Sequence, residues 1–498
     1  MTQHVSVSLS GGTVRGLRHD EHLSFIAIPY AAPPSGDRRW RAPQPAGPWR
    51  GVRDAKGPGT PAPQLAQSFA DGTSLDEDCL TIDVTVPAGA RNSPRPVVVW
   101  LHGGGGTNGS PSECDPHRLA ITGDVIVVAP RFRLGVFGCF GYPGLPGSGT
   151  FGLQDQQAAL RWVRDEIAHF GGDPGNVTLM GESYGAQTVA AHLVSPASEG
   201  LFHRAILQSP FAILGPTPAN TLIPGIPALP PRWIPVAELE RLGEATAVDK
   251  GWVSPGTDPA RALDALRKVP AKELLAVSGD FIRPGFGGGA LPRDPAAVLR
   301  EGGFHPVPVL LGTTRDEARF FVGLAGNPVT AEDYPRLLAE AFGEHTTEVT
   351  ARYPLADHAS PGLAMARVST DRAWAWPAWE LANALSARTR TWFYEFADTG
   401  APALLPLPGF PSGAQHGSEL MYQFDLAGGP VLSAEQRELG EAMNRYWTAF
   451  ATHGDPACPG LPGWPDASTG HVQSLAPGTI GGTDYAVRHQ LGFWRRMP

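Results

Sequence analysis

The sequence predicts an α/β protein with a mainly parallel central sheet. Short, continuous apolar runs at 96–102 and 125–129 are typical of strands buried on both faces. Between 96 and 209 such strands alternate with helical patterns, in the order strand, loop, strand, helix, strand, tight turn, helix, strand. This alternation indicates crossover helices, which join parallel strands and cover both faces of a sheet.

Composition and charge restrict the class of function. The chain has 498 residues, of which 42% are hydrophobic and 17% charged, enough for a large core. The net charge is −9 and no run rich in Lys or Arg occurs, so we expect no nucleic-acid partner. No apolar stretch is long enough to span a bilayer, and no signal-peptide pattern opens the chain. We therefore expect a cytoplasmic protein without a membrane anchor, or a secreted one if a signal was removed.

The cysteines do not indicate a metal site. Cys79, Cys114, Cys139 and Cys458 are too widely spaced for a zinc motif, and no H-E-x-x-H sequence occurs. We expect reduced, structural thiols. A disulfide between Cys79 and Cys114 remains the alternative for an exported protein.

The first eighty residues predict short elements. Residues 11–16, Gly-Gly-Thr-Val-Arg-Gly, indicate a hairpin. Residues 25–34 contain three prolines and predict an ordered, extended loop rather than a helix. Residues 77–86 alternate between polar and apolar and predict a strand.

The strand at 96–102 leads into four consecutive glycines, 103–106. Such a backbone cannot be shielded by side chains, so it offers amide donors to an anion; a flexible turn is the alternative. Residues 155–170 predict a helix, which Gly171 and Gly172 end.

Residues 181–185, Gly-Glu-Ser-Tyr-Gly, fit the pattern G-x-S-x-G. They follow an apolar strand pattern and precede apolar residues at helical spacing. In a nucleophile elbow this turn exposes a serine hydroxyl at the edge of a sheet, beside the positive end of a helix. The alternative is an ordinary surface Gly-Ser turn.

The remaining chain predicts further alternation. Residues 211–235 are rich in Pro and Gly and indicate an insertion that either lines a substrate pocket or packs as a surface loop. Further elements are expected as strands at 205–208, 307–311 and 391–396, helical segments within 236–302, and a helix at 434–453 that buries Leu439, Met443, Trp447 and Phe450. No repeat or long linker divides the chain, so we expect a single domain, 1–498, with cap-like insertions at about 211–305 and 319–388.

Three residues occur along the chain in the order expected for a serine hydrolase built on such a sheet. A serine hydroxyl needs a base, usually His, and a carboxylate that orients the base. Ser183 lies in the elbow, Glu317 follows the strand at 307–311, and His416 lies in a Gly-bounded loop. Asp316 is the alternative acid, whereas His102, beside the glycines, fits an orienting role better than that of the base.

At these residues the chain resembles the type-B carboxylesterases of the carboxylesterase/cholinesterase family, which have the α/β-hydrolase fold. The resemblance runs nearly from end to end. The stretches that carry it are 28–34, 77–80, 102–105, 131–135, 151–156, 170–174, 181–185, 316–317 and 416–420.

The resemblance implies a role for each site residue. Ser183 matches the nucleophile, Glu317 the acid and His416 the general base. The oxyanion hole matches Gly104, Gly105 and the amide of Tyr184, and Glu182 matches a buried glutamate that orders the site. Two structural ion pairs are also implied, namely Arg39 with Glu77 and Arg133 with Asp173.

The chain departs from the family at two informative positions. Tyr184 stands where the family usually has Ala, and its phenol could narrow the pocket. Cys79 matches a family half-cystine, but no cysteine precedes it, so the usual disulfide cannot form.

The expected activity is hydrolysis of a small-molecule carboxylic ester through an acyl-enzyme, without a metal or organic cofactor. A lipase-like or amide-cleaving hydrolase with the same triad is the alternative among enzymes. A non-catalytic binding module is the alternative of another class, although such modules typically lose a triad member.

Overall fold

The computed structural model describes residues 3–66, 72–214, 231–325, 329–404 and 409–497. Most of the Pro- and Gly-rich stretch at 211–235 therefore lies outside the described residues. The expected division into one domain with two cap-like insertions stays a prediction.

The strands are numbered in chain order. They are β1 Gln3–Leu9, β2 Gly12–Arg18, β3 His22–Pro29, β4 Val52–Asp54, β5 Thr81–Pro87, β6 Arg95–Leu101, β7 Cys114–Asp115, β8 Ile126–Pro130, β9 Gly172–Glu182, β10 Arg204–Gln208, β11 Ile234–Pro235, β12 Gly285–Phe286, β13 Val309–Thr314, β14 Thr391–Phe396, β15 Asp425–Leu426, β16 Gln473–Ala476 and β17 Thr479–Gly482.

The α-helices are numbered in the same way. They are α1 His117–Gly123, α2 Gly135–Cys139, α3 Phe151–Glu166, α4 Tyr184–Val194, α5 Val236–Asp249, α6 Pro259–Leu266, α7 Ala271–Leu275, α8 Pro295–Glu301, α9 Ala318–Leu324, α10 Asp333–Phe342, α11 Thr346–Arg352, α12 Pro361–Thr370, α13 Trp376–Ser386, α14 Leu420–Gln423, α15 Ala434–His453, α16 Tyr485–Arg488 and α17 Leu491–Trp494. A π-helical turn, Asp371–Ala375, joins α12 to α13.

One large sheet organises the described residues. Its strand order is β1-β2-β3-β5-β8-β6-β9-β10-β13-β14-β16-β17, with β4 beside β2. The strands from β8 to β16 in this order are parallel. The outer strands of this order pair antiparallel, whereas β4 pairs parallel with β2. The predicted α/β architecture with a mainly parallel central sheet is therefore confirmed.

The sheet is covered on both faces. Alternate residues of β6 enter different cores: Val97 and Val99 pack with α3, α4 and α13, whereas Val98 and Trp100 pack with α1 and α15. Successive strand residues point to opposite faces, so a strand with helices on both sides must be apolar throughout. This is why the run at 96–102 does not alternate.

Several predicted boundaries agree closely with the structure. The strand at 391–396 and the helix at 434–453 have the predicted bounds. A capping box at Ser433 and Gln436 begins α15, and Gly454 in the left-handed conformation ends it. The four residues predicted on its apolar face are buried. The helix expected at 155–170 begins four residues earlier, and its last turn is a 3-10 helix, Ile167–Phe170.

The N-terminal loop prediction was incomplete. Residues 25–29 are extended, as expected, but they belong to β3 and pair with β5. A bulge separates Phe25 from Ile28, and Ala27 there has a φ of 63° while its amide donates to Oδ1 of Asp83 at 2.8 Å. The irregular register hides this strand from a period-two pattern.

One of the two expected ion pairs was wrong. Arg39 does pair with Glu77, with Nε 2.8 Å from Oε2. Arg133 instead binds Asp155 in α3, with Nε and Nη2 each 2.7 Å from a carboxylate oxygen. Asp173 accepts the amide of Gly175 at 2.8 Å. Asp155 is fully buried beneath the β8–α2 connection and needs a cation, whereas Asp173, at the start of β9, is partly exposed.

All four cysteines are free thiols, so Cys79 and Cys114 do not pair. Among the residues that the structure describes, no helix combines the length and apolar character needed to cross a membrane.

A buried histidine ties the C-terminal helices to the rest of the fold. His489, just after α16, has Nδ1 2.6 Å from Oδ1 of Asp371 and Nε2 2.7 Å from Oε1 of Glu395. All three side chains are fully buried. Burial lowers the pKa of His489, but the two carboxylates outweigh it and the net shift is upward.

Candidate active site

The elbow forms where β9 meets α4. Ser183 has φ 55° and ψ −117°, a strained conformation for a residue with a side chain. Its amide donates to the carbonyl of Gln208 in β10 at 2.9 Å. A Cβ at Gly185 would lie 2.0 Å from the carbonyl oxygen of Leu101, and one at Gly181 would lie 2.5 Å from the carbonyl carbon of Gly185. Both glycines of the motif are therefore required by close backbone packing.

The structure brings the three expected triad residues together. Nε2 of His416 lies 2.9 Å from Oγ of Ser183, and Nδ1 lies 2.6 Å from Oε2 of Glu317. The other Glu317 oxygen accepts the amide of Thr314 at 2.8 Å. A neutral imidazole that donates from Nδ1 to Glu317 presents Nε2 as an acceptor toward the serine hydroxyl.

The alternative acid faces elsewhere. Asp316 lies 3.0 Å from Nη2 of Arg319 and accepts the amide of Ala414 at 3.2 Å. These two contacts occupy its carboxylate outside the Ser183–His416 line. Glu317, and not Asp316, therefore makes the carboxylate contact to His416.

Residues 103–106, which we call the glycine turn, follow β6 directly. Gly104, Gly105 and Gly106 all have positive φ, and Gly104 accepts the amide of Asn108 at 3.1 Å. A Cβ at Gly103 would lie 3.2 Å from Cβ of Ser183, so the turn lies directly against the elbow. These conformations favour glycine, and they leave the backbone open to a ligand.

Tyr184 supplies the first amide of α4, at the positive end of that helix. The sequence had suggested that its side chain could narrow the pocket. The side chain does not project into the space above Ser183. The ring packs against Gly106, and the hydroxyl lies 3.6 Å from Sγ of Cys139 in α2.

A cavity of about 580 Å³ opens over Ser183 and His416. Its lining combines aromatic and aliphatic side chains with the glycine turn and two carboxylates, and includes Trp100, His102, Gly104, Gly105, Glu113, Glu182, Phe320, Phe321, Leu404, Leu420, Leu426 and Pro430. The volume suits a small ligand. The rings of Phe321 and Trp374 lie 5.1 and 6.0 Å from the imidazole of His416 and limit its contact with water.

Buried carboxylates set the charge around His416. Oε1 of Glu182 lies 3.2 Å from Nε2 of His416. Burial lowers the pKa of His416, but Glu182 and Glu317 outweigh it and raise the pKa to about 9. Burial also raises the pKa of Glu182 to about 7. The site therefore favours a positive charge on the imidazole.

Sequence reasoning missed a third carboxylate, Glu419. It is fully buried, and its pKa is raised to about 8 by burial first and by Glu182 and Glu317 second. Nε2 of Gln208 lies 3.5 Å from one of its oxygens and 2.9 Å from Oε1 of Gln423. Glu419 is three residues after His416, in a stretch that carried the family resemblance, and that spacing was the available signal.

The other histidines singled out from the sequence lie outside the triad. His102 has Nδ1 3.0 Å from the carbonyl of Gly103 and stacks on Phe132. His192 is fully buried in α4 and pairs with Gln156 and Ser198. Across the described ranges, no three His, Cys, Asp or Glu side chains converge in a way that could hold a metal ion.

Comparison with known proteins identifies relatives of this chain. The chain is 33% identical to cocaine esterase of Oryctolagus cuniculus over 535 residues, covering 97% of this chain and 94% of that protein. It is 32% identical to pyrethroid hydrolase Ces2e of Rattus norvegicus over 511 residues, covering 95% and 85%. It is 31% identical to pyrethroid hydrolase Ces2a of Mus musculus over 509 residues, covering 95% and 87%.

A family match extends over almost the whole chain. Residues 3–494 fit the model of the carboxylesterase family. The resemblance, the α/β-hydrolase fold and the hydrolase class inferred from the sequence are thereby confirmed. The chain belongs to the carboxylesterase family and is a carboxylic ester hydrolase.

Proposed function

We propose that this esterase works through an acyl-enzyme on Ser183. His416 removes the hydroxyl proton as Oγ attacks the ester carbonyl carbon. His416 then gives that proton to the departing alkoxide, and the C–O bond breaks to release the alcohol. Water, deprotonated by His416, attacks the acyl carbon, and the proton returns to Oγ as the acid leaves.

One observation carries the proposal. The imidazole of His416 lies within hydrogen-bond distance of both Oγ of Ser183 and the Glu317 carboxylate, at 2.9 and 2.6 Å. A base must reach the proton that it removes, and a carboxylate on its other nitrogen fixes the tautomer. The loss of Glu317 would leave the imidazole free to turn.

The amides of Gly104, Gly105 and Tyr184 are proposed to bind the oxyanion. Two belong to the glycine turn and one to the first turn of α4, and both elements adjoin Ser183. Preorganised amides are effective because their dipoles need no reorientation when the negative charge develops.

Glu182 is proposed to order the site and to favour the imidazolium form of His416, because its carboxylate lies 3.2 Å from Nε2. Glu113 and Glu182 line the cavity, and none of its described lining residues is Lys or Arg. We therefore expect small-molecule esters without negative charge to be preferred, since a carboxylate in this cavity would meet Glu113 and Glu182 and, in the part of the lining that the structure describes, no Lys or Arg.

The test is turnover of uncharged aryl esters of increasing acyl length by the parent and by Ser183→Ala. We expect Ser183→Ala to lower kcat by about 10⁶-fold. A fluorophosphonate probe should label the parent at Ser183 in equimolar amount. His416→Gln should lower kcat about as much as Ser183→Ala does. His358→Gln, which changes a histidine outside the cavity, is the matched control.

The outcomes separate the alternatives. Short acyl chains turning over fastest would fit a small-pocket esterase, and long chains would fit a lipase-like cleft. Faster cleavage of matched anilides than of esters would favour the amide-cleaving alternative. Full activity in Ser183→Ala would refute the proposal, and a parent inactive on every ester would favour a binding module.

A further inference from the structure

The side chain of Tyr184 adjoins the turn that supplies the other two oxyanion amides. A Cβ built on Gly106 would lie 2.7 Å from Cε2 of Tyr184 and 3.0 Å from Cδ2 and Cζ. The α-carbon of Gly106 therefore rests directly on the face of the phenol ring. Tyr184 is only 7% exposed, so the ring is held by its surroundings.

The same ring reaches a second element that grips the turn. The hydroxyl of Tyr184 lies 3.6 Å from Sγ of Cys139, at the end of α2. The first residue of α2, Gly135, donates its amide to the carbonyl of Gly106 at 2.7 Å. Gly106 is thus fixed by α2 through its carbonyl and by Tyr184 through its α-carbon.

The first half of the glycine turn is supported by backbone contacts and by His102, whose Nδ1 lies 3.0 Å from the carbonyl oxygen of Gly103. Gly103 lies against Glu182 and Ser183, and Gly104 lies against the backbone of Asn108. A Cβ at Gly105 would meet no atom within 4 Å, so the middle of the turn faces open space. Four glycines supply no side chains of their own and resist ordering. The ring of Tyr184 is therefore the side chain on which the end of the turn depends.

We propose that Tyr184 is a positioning residue for catalysis, whose ring holds the amides of Gly104 and Gly105 at the correct distance from its own amide above Ser183. One residue then supplies one oxyanion donor through its backbone and supports the turn that carries the other two through the contact of its ring with Gly106. The inference rests on the proposed acyl-enzyme mechanism. It gives a function to the ring at a position where the related esterases usually carry Ala.

Removal of the ring should affect the transition state rather than substrate binding. Tyr184→Ala keeps all three amides but leaves a void beneath Gly106, into which the turn can shift. The loss of one donor costs about 10²–10³-fold in kcat, so displaced donors should cost less, about tenfold or more. KM should change by less than about twofold, because the bound ester does not yet carry the oxyanion.

The experiment compares the parent with Tyr184→Ala, Tyr184→Phe and Cys139→Ala. For each, kcat is expressed per active site titrated, with KM and the inhibition constants of a trifluoromethyl ketone and of the product alcohol. The ketone forms an oxyanion on Ser183 and the alcohol does not. In Tyr184→Ala we expect ketone affinity to fall by the same factor as kcat while alcohol affinity is unchanged. Tyr184→Phe restores the ring and should recover most of the kcat and ketone affinity lost in Tyr184→Ala. Cys139→Ala leaves Tyr184 intact and should stay within about twofold of the parent.

A packing role alone would lower the melting temperature and the titrated fraction while leaving kcat per site and ketone affinity unchanged; that result would overturn the proposal. Equal loss of ketone and alcohol affinity would also overturn it. Ser183→Ala, run in parallel, separates the failures, since full activity in that variant would refute the mechanism itself.

A second pair of variants covers the case in which Tyr184→Ala does not fold. Gly106→Ala places a methyl group against the ring, whereas Gly105→Ala carries similar backbone strain without the collision. We expect Gly106→Ala to lower kcat and ketone affinity further than Gly105→Ala does. Equal effects of the two variants would contradict a positioning contact at Gly106.

Discussion

The charge around His416 can be tested by replacing Glu182 with Gln. Glu182 places a carboxylate oxygen 3.2 Å from Nε2 of His416, inside a buried site. A general base must be neutral, so protonation of His416 at low pH abolishes its function. The acidic limb of kcat/KM reports the pKa of this base in the free enzyme, and that pKa is raised to about 9.

The expected magnitude follows from the distance. Two unit charges 3.2 Å apart attract by about 5 kcal/mol at an effective dielectric constant of about 20. Measured shifts from one opposite charge at close range are about 1–3 pH units. We therefore expect Glu182→Gln to move the acidic limb downward by about 1–3 units. The plateau at high pH should fall, because the imidazolium formed during turnover loses a partner.

The assay is kcat/KM for one uncharged aryl ester between pH 5 and pH 10, with the limb of each variant referred to its own plateau. Glu113→Gln is the matched control, because Glu113 lines the same cavity but is not among the main influences on the pKa of His416. A limb that stays in place or rises in Glu182→Gln would refute the reasoning, as would an equal shift in Glu113→Gln.

Three further predictions concern other parts of the chain. Glu317→Gln should lower kcat by about 10⁴-fold with little change in KM, because His416 loses the partner that fixes its tautomer; stopped-flow turnover measures this, and a loss below tenfold would contradict it. Arg133→Met should cost about 3–5 kcal/mol of unfolding free energy in urea titration, because Asp155 is left buried without a cation, and adding Asp155→Leu should restore most of it. His489, whose pKa is raised on folding, contributes stability that is present below its unfolded pKa of about 6.5 and is lost as pH rises through the folded pKa. The difference in unfolding free energy between the parent and His489→Gln should therefore be largest near pH 6, and a difference that grows with pH would contradict this.

Much of the sheet could be predicted because its local patterns are strong. The run at 96–102 has no polar interruption, and a strand covered on both faces requires this. The bounds of α15 follow from Ser433 and Gln436 at its start and from Gly454 at its end. The order of Ser183, Glu317 and His416 along the chain, together with the family resemblance, predicted these three residues as the triad and left Asp316 as the alternative acid.

The partner of Arg133 could not be predicted from spacing. Asp155 and Asp173 are both acidic and both lie in stretches that resemble the family. The choice depends on which carboxylate the fold buries, and burial is set by the packing of α3 under α2. Sequence patterns do not show which of the two carboxylates becomes buried.

The roles of Glu419 and of the Tyr184 ring were hidden for a similar reason. Glu419 is buried beside Gln208 of β10, which lies far from it in the sequence. The ring of Tyr184 turns away from the cavity because Gly106 leaves room beneath the glycine turn. Because Tyr184 follows Ser183 directly in the chain, the sequence suggested instead that the ring could narrow the pocket.

The positions of the triad residues relative to the sheet affect how such enzymes can diverge in evolution. Ser183 and Glu317 follow β9 and β13, His416 lies beyond β14, and these strands lie within the run β9-β10-β13-β14 of one sheet. Side chains from the segments between β10 and β13 and between β13 and β14, among them Phe321 and Trp374, pack near His416 but supply no member of the triad. During evolution those segments can therefore change in length and shape and accept new substrates, while the triad residues stay the same.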